Sequence, residues 1–132
     1  MIPIIRLAAR GDGVTADGRF VPGAAVGDSV SFADGGVTIA PGPGHVAPVC
    51  RHFPECGGCQ LQHVGDAAYG EFVTERIVRA VAGVGIAAAS LAPVALSPPR
   101  SRRRASLRAV KRGGRLSLGF NANAAQDRKS VV

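Results

Sequence analysis

Short apolar runs, each closed by a turn signal, fill residues 1–42. Ile2–Leu7 is followed by Gly11-Asp12-Gly13, Val14 by Asp17-Gly18, and Phe20-Val21 by Pro22-Gly23. Gly27-Asp28 then precedes Ser29–Phe32, and Asp34-Gly35-Gly36 precedes Val37–Ile39. Brief runs between Asp-Gly and Pro-Gly turns predict five short strands and a small closed barrel.

The pattern changes after residue 42. PGPGHVAP at 41–48 has linker composition, and 49–63 hold three cysteines. Asp66 is placed to cap a helix running to about Ala82. Tyr69, Phe72, Val73, Ile77, Ala80 and Val81 recur at helical spacing along one face, and Gly83 and Gly85 stop it. Residues 91–96 are apolar enough for a strand, ended by Ser97-Pro98-Pro99. Arg104–Val110 and Arg115–Phe120 then read as two strands joined at Lys111–Gly114, with Gly113-Gly114 as the turn. Leu116, Leu118 and Phe120 alternate onto one face, as do Ala105, Leu107 and Ala109 in the partner. The last twelve residues are polar and read as a frayed tail. The expected class is mostly β in an α+β arrangement: a barrel over 1–42, a linker and cysteine loop over 43–65, and a helix with a small β-hairpin sheet over 66–132.

Composition supports strands and turns over long helices, with 18 Gly and 9 Pro in 132 residues. Large apolar anchors are scarce: five Phe, one Tyr and no Trp. No run is long and apolar enough to cross a membrane, and the start of the chain carries no cleavage-site pattern. Three cysteines within ten residues do not suit a secreted disulfide framework, so a cytoplasmic setting is expected.

Charge divides the chain. Residues 1–70 hold four Arg against six acids, whereas 71–132 hold twelve Lys/Arg against three acids. Arg100, Arg102, Arg103, Arg104, Arg108, Lys111, Arg112 and Arg115 follow one another with no acid between them. Such a run is either a solvated face or a surface for a polyanion. Its arginine content suits forked hydrogen bonds to phosphate and stacking on bases, so it is the candidate RNA-binding segment, although residue type does not separate RNA from DNA.

The candidate metal ligands are Cys50, Cys56 and Cys59, spaced C-x5-C-x2-C with Gly57-Gly58 between the last two. Glycines let a chain fold tightly enough to aim two thiolates at one ion. Zinc sites and cubane iron–sulfur clusters both take four ligands as a rule. His45, His52 and His63 are nearby substitutes for the fourth, with His63 best placed after the turn, and a ligand beyond Val132 is the alternative. The plain alternative is three unrelated thiols.

Four stretches resemble one family. They are IIRLAARGDGV at 4–14 with FVPGA at 20–24, CRHFPECGGCQLQHV at 50–64, the Tyr-led helix at Tyr69, and SPPRSRRRASLRA at 97–109 with LGF at 118–120. Together they are similar to the N-terminal part of the RNA (uracil-5)-methyltransferases that carry a TRAM domain and a [4Fe-4S] cluster. The cysteine loop is the most specific of the four. The resemblance implies an OB-like TRAM barrel over 1–42 and a [4Fe-4S] cluster held by Cys50, Cys56 and Cys59. The fourth cluster cysteine of the family, expected just after the LGF hairpin, is missing from this chain. The central domain over 66–132 is expected to bind RNA.

In the family, a further domain binds S-adenosylmethionine and carries the nucleophilic cysteine and general base. The resemblance places that domain outside these 132 residues, so no residue here is assigned a catalytic role. The expectation is the RNA-binding and iron–sulfur part of an rRNA or tRNA uracil-C5 methyltransferase, monomeric and inactive alone. The alternative is a free-standing zinc or iron–sulfur RNA-binding module.

Overall fold

The structure is a computed structural model that describes residues 1–33 and 35–123. The tail expected at the end of the chain falls outside this range from residue 124 onward. Mostly β architecture is observed: a curled five-stranded antiparallel sheet, one helix and a two-stranded hairpin. The described residues divide into two units. The first joins Met1–Ala47 to His63–Ser97, and the second joins Pro48–Gln62 to the residues from Pro98 onward.

In the first unit, β1 (Ile2–Leu7), β2 (Gly13–Thr15), β3 (Phe20–Val21), β4 (Ser29–Ala33) and β5 (Gly36–Ala40) pair in the order β3-β2-β1-β4-β5. These match the five expected runs. A bulge between Ile4 and Arg6 of β1 lets the sheet curl. Closure differs from the expected barrel: among the described residues β3 and β5 stay at the two edges, giving a half-barrel. Alternation places Ile4, Val30 and Val21 inward with Ala24, and Ile2, Phe32 and Ile39 pack against them. The core is small, as the scarcity of aromatics requires.

The PGPGHVAP segment is no loose linker. His45 bridges to Val64, the Val46 amide donates to the His63 carbonyl, and the Gly65 amide donates to the Gly44 carbonyl. These bonds lead into α1 (Asp66–Ala82), which belongs to the first unit. Its cap is Gly65 rather than Asp66, which falls in the first turn with no side-chain cap bond. There its carboxylate still complements the helix dipole. Phe72 is the one buried residue of α1, and Ile77 and Ala80 of the expected apolar face are exposed.

Residues 91–96 form no strand. Pro93 breaks the run, and among the described residues no strand pairs with it. In the second unit, β6 (Arg108–Arg112) pairs with β7 (Arg115–Gly119), shorter at its start than the expected 104–110. The ladder begins where Arg108 meets Gly119. Beyond that pair, residues 121–123 turn to bond the cysteine loop instead. The turn falls at Gly113-Gly114 as expected, with φ values of 52° and 79°, a conformation that a side chain would strain.

Candidate functional site

The cysteine loop is built by local turns and tied down by the chain after β7. Amides of Phe53 and Cys56 donate to the carbonyls of Cys50 and His52. The Phe53–Pro54 peptide is cis. Cys56 bridges to Ala122, the Gly57 amide donates to the Asn121 carbonyl, and the Asn123 amide donates to the Glu55 carbonyl. A Cβ on Gly57 would lie 2.9 Å from the Asn121 oxygen, so this approach needs glycine. The residues expected to fray, Asn121 to Asn123, are thus part of the site's frame.

All three cysteines line one cavity of about 140 Å³, together with His52, Phe53, Gly58, Gln62, Arg102 and Phe120. They are free thiols, Cys50 and Cys56 half-buried and Cys59 exposed. The Gln62 side-chain oxygen accepts from the Cys50 amide, and the Gly58 amide donates to Cys56 Sγ at 3.4 Å. Among the described residues, no group of three His, Cys, Asp or Glu side chains is set in a metal-binding arrangement. The three thiols thus share a cavity lining without the geometry of a metal site.

Of the three histidines, His52 lines this cavity. His45 and His63 belong to a separate cluster in the first unit. There Asp28 is fully buried and accepts from the Ala25 amide at 2.7 Å, the Gly42 amide at 2.8 Å and His45 Nδ1 at 2.7 Å. Burial pulls the Asp28 carboxyl up. The bonds from Gly42, His45 and Ala25 outweigh it and hold the group below its ordinary value. His63 is buried with its ring centroid 5.4 Å from that of His45. Burial first, and the neighbouring His45 next, hold His63 below the ordinary histidine range, against an upward pull from the Ala24 backbone and Asp28.

The basic segment separates into two groups. Arg102, Arg104 and Arg108 line a second cavity of about 650 Å³ with Gly57, Gly58, Ser106, Phe120 and Asn121. Arg102 donates to the Gly58 carbonyl at 3.4 Å, and its guanidinium lies 5.9 Å from the Phe120 ring centre. Arg108 donates to Asn121 Oδ1 at 3.2 Å. Arg100, Arg103, Lys111, Arg112 and Arg115 are exposed but do not line this groove. The two cavities share Gly58, Arg102 and Phe120. The charge run pointed to the arginines. Phe120 and Asn121 carried only a strand and a tail signal, so their place in the site was not legible.

Fold and site define a β-rich chain with a thiol-lined cavity beside an arginine-lined groove. Similarity to known proteins agrees. An uncharacterised RNA methyltransferase of Zymomonas mobilis subsp. mobilis is 46% identical over 132 residues, 100% of this chain and 32% of its own length. One of Caulobacter vibrioides is 39% identical over 131 residues, covering 90% and 31% respectively. The 23S rRNA (uracil(1939)-C(5))-methyltransferase RlmD of Halomonas elongata is 37% identical over 134 residues, 88% of this chain and 28% of its own length. No family model matches the chain. The chain is a homologue of the RNA methyltransferases, as the cysteine loop implied, and spans about a third of the length of these relatives.

Proposed function

We propose that this chain provides the RNA-binding and iron–sulfur portion of an rRNA or tRNA uracil-C5 methyltransferase. The observation that carries the reading is the placement of three thiols and three arginines on adjoining cavities of one unit. Cys50, Cys56 and Cys59 would hold a [4Fe-4S] cluster through three thiolates, with a fourth ligand supplied from elsewhere. Bound there, the cluster would cross-link the loop to the chain around it and supply a structural brace.

RNA would be met by the basic segment, Arg100 to Arg115, through phosphate contacts and stacking. Methyl transfer would use S-adenosylmethionine bound outside these residues, and the chain would work in the cytoplasm. No helix among the described residues is long and apolar enough to cross a membrane.

Anaerobic reconstitution with iron and sulfide tests the cluster. Broad visible absorbance is expected, and Cys56→Ala and Cys59→Ala should each abolish it. A variant lacking both cysteines that kept full iron content would refute the ligand set, and zinc uptake with no colour would favour a zinc module. Replacing Arg102, Arg103 and Arg104 by Ala should weaken RNA binding and flatten its salt dependence. An unchanged slope would remove this segment from the RNA surface.

A further inference from the structure

We infer that the groove between the cysteine loop and the start of the hairpin holds one unstacked nucleotide of a single-stranded RNA, its base against Phe120. The inference rests on the RNA-binding reading above and narrows it. Charge alone would suit any phosphate backbone, paired or unpaired. The groove adds three features that a phosphate track does not need.

The first is size and shape. A cavity of about 650 Å³ lies within the range of small-ligand sites, about 300–1,000 Å³. It has room for a splayed base and not for a paired helix. The second is an aromatic wall. Phe120 is half-buried at the groove, with the Arg102 guanidinium 5.9 Å from its ring centre. Aromatic and guanidinium planes are the surfaces on which unstacked bases rest.

The third is a polar edge. Asn121 accepts from Arg108 through Oδ1, which orients its amide nitrogen as a donor. Ser106 adds a hydroxyl on the same lining. These groups match the edge of a base, while Arg104 and Arg108 supply positive charge for its phosphate. The remaining arginines of the segment lie off the groove, where they would follow the flanking backbone.

The experiment uses the whole chain and a short RNA carrying one 2-aminopurine, either single-stranded or annealed to its complement. The single strand is expected to bind at least about tenfold tighter than the duplex, with a change in 2-aminopurine emission on binding. Phe120→Ala should weaken the single strand by about tenfold and remove the emission change, while Phe120→Tyr keeps both. Arg104→Ala should lower the slope of log affinity against log salt by about one.

Equal affinity for strand and duplex, or a natively folded Phe120→Ala that binds like the parent, would overturn the groove while leaving a basic RNA surface intact. Failure of every RNA to bind would overturn both readings. Should Phe120→Ala lose its native circular dichroism, Arg104→Ala and the emission change decide alone.

Discussion

Asp28 is a carboxylate with no exposed surface. It accepts three bonds that tie the turn before β4 to Gly42 and His45 in the segment after β5. Asp28→Ala leaves those donors without an acceptor and should cost about 3 kcal/mol, read as a lower urea midpoint. Within this cluster the pH dependence follows from two depressed groups. His63 stays neutral in the folded chain while the unfolded histidine protonates, so stability falls as pH drops below the ordinary value of 6.5. Asp28 adds a second loss below the ordinary carboxyl value of 3.8, as the unfolded carboxylate protonates first. Melting temperature should therefore decline in two stages on acidification, and His63→Leu should remove the first. A flat profile from pH 7 to 5 would contradict the burial of His63. None of this cluster was legible in sequence. A histidine four residues after a cysteine looks like a metal ligand, and nothing local says that the sheet buries it beside an aspartate far back in the chain.

The elements were far easier to read. All five strands of the sheet, the helix and the hairpin turn fell where apolar runs and Gly signals placed them, because each depends on neighbouring residues. Misreadings occurred where a partner decides. Residues 91–96 have the composition of a strand but no ladder to join, and Arg104–Leu107 line the groove instead of extending β6. The hairpin turn offers a direct check. Gly113 and Gly114 both have positive φ, so Ala at either should cost about 1–2 kcal/mol. Amide exchange at Val110 and Ser117, which face each other across β6 and β7, should speed up by roughly five- to thirtyfold at that cost. The Leu face of the hairpin was also legible. Leu116 and Leu118 are 70% and 65% exposed on the same side as Ala109 and Lys111, so among the described residues alternation here builds no core.

At the scale of the molecule, sequence order and spatial order diverge. The second unit is assembled from two separate stretches, Pro48–Gln62 and the residues from Pro98 onward, with part of the first unit between them. Stretches on both sides of α1 thus belong to one compact unit. The charge asymmetry acquires its meaning here, because arginines from the later stretch reach the loop of the earlier one, as Arg102 does at Gly58. The thiol cavity is likewise closed by Arg102 and Phe120.

That split construction has a consequence for birth on the ribosome. The three cysteines leave the exit tunnel well before the residues that wall them in, a lag of a few seconds at about 5–20 residues per second. Throughout that interval their thiols are open to solvent, to oxidants and to any carrier that delivers iron. Nascent chains stalled with residue 97 as the last outside the tunnel should accordingly react with a thiol-specific dye faster than full-length chains.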